Sequence, residues 1–306
     1  MTTAPTTMSL RTPGALVASL PYLLGFQPAD DLVAVWIKDG KILVTQRADL
    51  DLSLSVPEEF CRALADKNPD EVVLVAYGAI SFEQSLSLSK AANKVAKVRD
   101  IMWVRDGRYA SLMCKDLQCC PLEGRPIEIG DGAEFVAEGK APLLSRETLV
   151  GLLKPRGTVR LKPLPKEGIE SYRDDALLRF DNREPKAAEL REMSRSLQDI
   201  RVRDTLLWEA SQEGYNLPGL YERLCSVLRA THPDDAAPVA TTTAIVAWQQ
   251  GDGASANVAC DYARKANPDY SLLTLIETAL RAGLPPTSWS ASMKELTRDD
   301  CRRGTR

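Results

Sequence analysis

The hydrophobic periodicity of this 306-residue chain changes near residue 154. No other feature constrains the fold as much. Before that point, short β-branched runs alternate with helical patterns, whereas from about Ile169 onward every periodic segment has helical spacing. One chain therefore carries two cores of different class: a mixed α/β domain over residues 1–153 and an all-α helical-hairpin domain over residues 169–306. The length suits this, because a domain averages about 150 residues. Residues 154–168 join them as a basic, Pro-rich linker. Its first thirteen residues hold five basic side chains, three prolines and no acid, a composition that suits a stiff, extended tether.

In the first part, Thr12-Pro13 caps a short apolar helix that Pro21 closes. Leu32 to Ile37 reads as a buried strand, Asp39-Gly40 as a hairpin turn and Ile42 to Thr45 as the returning strand. Pro57 to Asp66 reads as a helix, Glu71 to Tyr77 as a buried strand and Phe82 to Val98 as an amphipathic helix. Ile101 to Val104 and Tyr109 to Met113 flank the turn Asp106-Gly107 as a second hairpin. Two crossover helices predict a parallel centre to the sheet, and each hairpin adds an antiparallel neighbour.

The second part reads as helices over Glu184–Ser196, Arg201–Gln212, Pro218–Arg229, Asp235–Gln249, Ala254–Ala266, Ser271–Ala282 and Thr287–Leu296, with short loops between them. The hairpin ending at Pro268 resembles one tetratricopeptide unit: Ala256 and Ala263 sit where small residues meet, and Gly251 to Gly253 form the turn. A second copy at that period is missing, so a bundle with one repeat-like hairpin is expected rather than a solenoid.

Several chemistries are excluded. The single histidine, His232, lies in a turn-like Thr-His-Pro-Asp-Asp stretch and reads as a solvated turn residue, so catalysis would rest on other groups. One histidine also excludes a His-rich metal site. No phosphate-binding loop, dinucleotide fingerprint or nucleophile elbow occurs. Net charge is −3, split as −4 before residue 154 and +1 after it, so neither part is a basic module and nucleic acid is not an expected partner. The absence of a signal-like start or an apolar run of membrane length predicts a cytoplasmic protein without membrane contact, and reduced thiols with it.

Three groups of residues could carry function. Strand direction gathers Asp30, Asp31, Arg47, Asp49 and Tyr77 at the carboxyl edge of the sheet, where open α/β sheets bind ligands. The plainer account is a set of solvated strand ends. Trp248, Asn257 and Tyr262 are a candidate docking surface on the repeat-like hairpin. Cys114, Cys119 and Cys120 crowd one loop, shaped by Pro121 and Gly124. They are expected to anchor that loop; a metal site would need a fourth ligand such as Asp116, because no further C-x(2–4)-C pair follows. The last strand runs away from the acidic edge, which places the cysteine loop at a separate site.

Leu10-Arg11-Thr12-Pro13, Pro21-Tyr22-Leu23-Leu24-Gly25-Phe26, Asp30-Asp31-Leu32-Val33, Arg47-Ala48-Asp49-Leu50, Cys119-Cys120-Pro121-Leu122-Glu123-Gly124-Arg125-Pro126, the Trp248 to Ala259 stretch and Pro268 to Leu272 together resemble the actinobacterial domain-of-unknown-function family 4192. Where that family often has His-Pro after Gly-Phe, this chain has Gln27-Pro28, which removes an imidazole from the acidic edge. The resemblance implies a bacterial or phage cytosolic setting and carries no assigned activity or cofactor. The expected function is a binding or adaptor protein, with an α/β domain that recognises a small-molecule ligand and a helical domain that docks a protein partner. The alternative is a Mg2+-dependent enzyme: Asp30, Asp31 and Asp49 would hold the ion while Arg47 meets a phosphate-bearing small molecule or nucleotide.

Overall fold

A six-stranded sheet in the order β2-β1-β3-β4-β5-β6 organises the first part of the chain. The structure is a computed structural model and describes residues 12–128, 141–181 and 185–304. Leu10 and Arg11 of the family motif, the start over residues 1–9 and the helix start at Glu184 lie outside the described residues. The chain divides between Arg146 and Glu147 into two compact units.

In the first unit, helix α1 (Pro13–Leu24) precedes β1 (Asp31–Lys38), β2 (Lys41–Asp49), α2 (Leu50–Ser55), α3 (Pro57–Arg62), β3 (Glu71–Tyr77), α4 (Phe82–Ala92), β4 (Lys97–Arg105), β5 (Arg108–Ser111) and β6 (Arg125–Pro126). Strands β3 and β4 are the parallel pair, and the other pairings among these six strands are antiparallel. The parallel centre is thus one pair wide, because β1 lies between β2 and β3. Burial explains the order. Leu32 to Trp36 are completely buried, so β1 needs a neighbour on each side, whereas β2 is half-exposed and suits an edge. Its Gln46 serves the core all the same, accepting from Trp36 Nε1 at 2.8 Å and donating to the Phe60 carbonyl at 2.8 Å.

Leu32, Ala34 and Trp36 pack with Leu50, Phe60, Cys61 and Leu88 on one face of the sheet. Helix α1 takes the other face. It runs through Pro21 to Leu24 and ends on left-handed Gly25, so Pro21 does not close it. Pro21 removes the N–H that would reach the Val17 carbonyl, and the Tyr77 hydroxyl donates to that carbonyl instead, at 3.5 Å. The helix expected over Pro57 to Asp66 stops at Arg62, and a 3-10 turn over Ala65–Lys67 follows.

The second unit holds α5 (Arg146–Leu153), α6 (Ile169–Arg179), α7 (Ala187–Ser196), α8 (Ile200–Ala210), α9 (Leu217–Ala230), α10 (Ala237–Gln249), α11 (Gly253–Ala266), α12 (Ser271–Arg281), α13 (Thr287–Met293) and α14 (Arg298–Arg303). Helix α10 is its axis: Ala237 to Trp248 are all buried, and α8, α9, α11 and α12 pack on it. Thr241, Thr242 and Thr243 survive there because each hydroxyl donates to the carbonyl four residues back, at 2.7 to 2.8 Å. Cys301, expected in a charged tail, is buried in α14, which packs on α8. His232 caps a 3-10 turn, its Nδ1 accepting from the Asp234 N–H at 3.2 Å.

The basic Pro-rich stretch is extended and lies against the helical unit. Arg156 and Gly157 donate backbone N–H groups to the Arg229 and Thr231 carbonyls, both at 2.9 Å. The Arg160 guanidinium bridges Asp234 and Asp235, and the Leu161 N–H donates to Asp235 at 2.9 Å. Gly157 permits the close approach: a Cβ there would overlap the Ala230 carbonyl oxygen and lie 2.7 Å from the His232 nitrogen.

Candidate functional site

Strand register brings the acidic edge together as the sequence predicts, but its five residues do different work. Asp31 stands opposite both Asp49 and Tyr77, and Arg47 is two residues back on β2. Asp31 is 1% exposed and forms an ion pair with Arg47, while its other oxygen accepts from the Ala29 N–H at 3.2 Å. Burial pushes the Asp31 carboxyl above its usual range, against the pull of Arg47. The Arg47 guanidinium also lies 5.9 Å from the centre of the buried Phe26 ring. Asp49 caps α2, accepting from the Leu52 N–H at 3.0 Å. Two of the three carboxylates on which a Mg2+ site would depend, Asp31 and Asp49, are therefore engaged in holding the edge.

Asp30 and Tyr77 instead line a cleft of about 650 Å³ at the carboxyl ends of β3 and β4, walled by α1. Val17, Pro21, Val104 and Ile127 give it apolar surface; Tyr22, Gln27, Arg105, Asp106 and Glu128 give it polar groups. Asp30 takes a left-handed conformation (φ 53°), and Gly78 (φ 144°) brings its backbone against Asp30 and Leu50. Burial raises the Tyr77 hydroxyl far out of its normal range, with the Asp31 charge adding to it, so this hydroxyl is a hydrogen-bond donor and not a base.

In the helical unit the predicted trio separates. Trp248 is buried and donates its Nε1–H to the Leu284 carbonyl at 3.2 Å, lining a cleft of about 580 Å³. Tyr262 and Asn257 do not line that cleft: Tyr262 donates to the Val150 carbonyl on α5 at 2.8 Å, and Asn257 to the Gly253 carbonyl on its own helix at 2.7 Å. The cleft is floored by Trp248, Leu207 and Trp289, and rimmed by Ile200, Leu275, Leu284 and Leu296. Those four rim residues are large, apolar and exposed. Trp289 is 8% exposed, and its Nε1–H has no acceptor among the described residues. On one wall Arg203 is buried and paired with Asp204 at 2.6 Å, and it donates to the Tyr270 hydroxyl.

The cysteine loop runs from β5 to β6, away from the acidic edge. The sulfurs of Cys114, Cys119 and Cys120 lie within 4.8 Å of one another. Burial, followed by the neighbouring thiols, pushes the Cys120 thiol up, the reverse of what an activated nucleophile needs.

A family model described as Domain of unknown function (DUF4192) matches residues 13–176 and 165–287. The chain belongs to this family. No curated protein and no solved structure matches it. The first DUF4192 match covers the sheet unit with its acidic edge and cysteine loop; the second covers most of the helical unit and ends just before Trp289. Sequence reasoning on this DUF4192 chain missed Ile200, Leu275, Leu284, Trp289 and Leu296. A usable signal was present in α12, where Leu272, Leu273, Leu275, Ile276, Ala279 and Leu280 are more apolar residues than one buried face can take.

Proposed function

We propose that this chain is a binding protein that docks an apolar segment of a protein partner in the helical cleft and takes a small ligand in the cleft of the sheet unit. The observation that carries the reading is the ring of Ile200, Leu275, Leu284 and Leu296, exposed around a floor holding a Trp289 donor with no acceptor among the described residues. An exposed apolar patch with a concave centre is a mark of association surfaces. An unpaired buried N–H gains an acceptor when a peptide carbonyl enters. The partner chemistry is therefore a peptide segment with large apolar side chains on one face and a free carbonyl among them, the helix-in-groove mode. The small-ligand reading rests on the second cleft, whose position at the carboxyl ends of β3 and β4 is the usual ligand edge of such sheets. An actinobacterial cytoplasm is the setting we attach to it, supported by seven unpaired cysteines and by the family resemblance. No helix among the described residues is long and apolar enough to cross a membrane.

The test uses the full chain and a displayed library of random peptides. Selected peptides should be apolar at three- and four-residue spacing, shift the Trp289 indole N–H resonance downfield, and lose at least tenfold in affinity for Leu275→Glu. Failure to select any peptide, or equal binding by Leu275→Glu and Trp289→Phe variants of unchanged melting temperature, would remove the docking role.

A further inference from the structure

We infer that the loop between β5 and β6 is a zinc site, with Cys114, Cys119 and Cys120 as three protein ligands and the fourth position open to solvent. Burial does not explain these residues, since Cys119 is exposed and the other two are only half-buried, whereas Cys61, Cys225, Cys260 and Cys301 are buried as small hydrophobes are. Convergence does. Three sulfurs at about 2.3 Å from one tetrahedral zinc stand about 3.8 Å from each other. The observed spread of up to 4.8 Å is closed by shifts of about 1 Å.

The loop is built to hold that convergence before any ion arrives. Asp100 accepts from the Ser111 hydroxyl at 2.6 Å, and Ser111 accepts from the Met113 and Cys114 N–H groups at 3.1 and 3.0 Å, which fixes the first ligand. One helical turn closed by the Cys120 N–H on the Asp116 carbonyl, at 2.7 Å, sets the other two. The Arg125 guanidinium grips the carbonyls of Gln118 and Cys119. Gly124 (φ 75°) lets the far end settle on Trp103, where a Cβ would come within 2.7 Å of the indole.

Charge agrees as well. Three thiolates around a divalent ion leave one negative charge, and Arg125 lies against the same loop to meet it. Each thiol gives its proton to the solvent as its Zn–S bond forms, so no redox partner is required. Thiolate ligands select zinc over magnesium or calcium, and three protein ligands with one open position distinguish this arrangement from closed four-ligand structural zinc.

The full chain, reduced and freed of reductant under inert gas, is titrated with Zn2+ alone and with Co2+ as a coloured substitute. One equivalent should bind, with thiolate charge-transfer absorption and the visible bands of tetrahedral cobalt. Zinc should abolish the reaction of the three loop thiols with a disulfide reagent, while the four buried thiols stay silent with or without it. Exposed Cys119→Ser should lose about a hundredfold in affinity or more at an unchanged melting temperature of the metal-free chain. Zinc surrendered to a chelator of micromolar affinity, cobalt bound without charge transfer, or full uptake by a Cys119→Ser, Cys120→Ser chain would each overturn the site.

Discussion

The Tyr77 hydroxyl donates to the Val17 carbonyl, and Val17 is the residue that Pro21 deprives of its helical partner. A strand side chain on the cleft wall thereby repairs a helix across the sheet face. Removing the hydroxyl in Tyr77→Phe should cost about 1 kcal/mol in urea unfolding. In a Pro21→Ala background the restored N–H reaches Val17 itself, so the same change should cost markedly less. Equal costs in both backgrounds, measured as a double-mutant cycle, would show that the hydroxyl does not replace the lost bond.

The Asp31–Arg47 pair yields a second expectation. Truncating Arg47 to Met leaves a carboxylate that is 1% exposed without its cation, a loss of about 3 kcal/mol. Asp31→Asn in that background should recover most of it. The sign with pH follows from the raised carboxyl: the folded state holds its proton more tightly than the unfolded state does. Stability of Arg47→Met should therefore rise as pH falls from neutral toward the ordinary carboxylate range, relative to the double variant. Parallel pH profiles for the two chains would contradict this.

Alkaline pH tests the buried thiols. Burial pushes Cys61 and Cys260 up to about 12 and Cys225 up to about 11, from an ordinary 9.0. Above pH 9 the unfolded chain sheds these protons first, so the folded state binds more of them and stability falls as pH rises through that window. Cys61→Ala should flatten the fall between pH 8.5 and 10.5 in denaturant titrations, and an unchanged slope would count against it.

Gly157→Ala places a methyl group against the backbone of Ala230 to His232, so the strap must lift. The expected result is faster tryptic cleavage after Arg156 and Arg160, with a stability loss of about 2 kcal/mol or more. Wild-type cleavage rates in the variant would mean that the strap is not held there.

How far the fold could be read ahead varied with the physics involved. The continuous apolar runs Leu32–Ile37 and Glu71–Tyr77 reported burial faithfully, and strand direction then placed Asp30, Asp31, Arg47, Asp49 and Tyr77 at one edge. It could not report that β1 would lie between β2 and β3, since periodicity records how deeply a strand is buried and not which strands bury it. Pro21 read as a helix end because its compensating donor sits on another element, fifty-six residues later at Tyr77. Spacing named Cys114, Cys119 and Cys120, while their convergence depended on the Ser111 and Asp116 contacts. The helical cleft was hardest to foresee: Ile200, Leu275, Leu284 and Leu296 come from separate segments, and nothing local announces that they meet.

The strap also bears on how this chain is cut. Composition invites a boundary after residue 168, yet a fragment beginning at Ile169 would surrender the backbone donors of Arg156, Gly157 and Leu161 and the cation that neutralises Asp234 and Asp235. It would also expose the carbonyls that close α9 and strip Tyr262 of its acceptor on α5. The compact helical unit begins at Glu147, and the most linker-like stretch of the sequence belongs to the piece it was expected merely to tether.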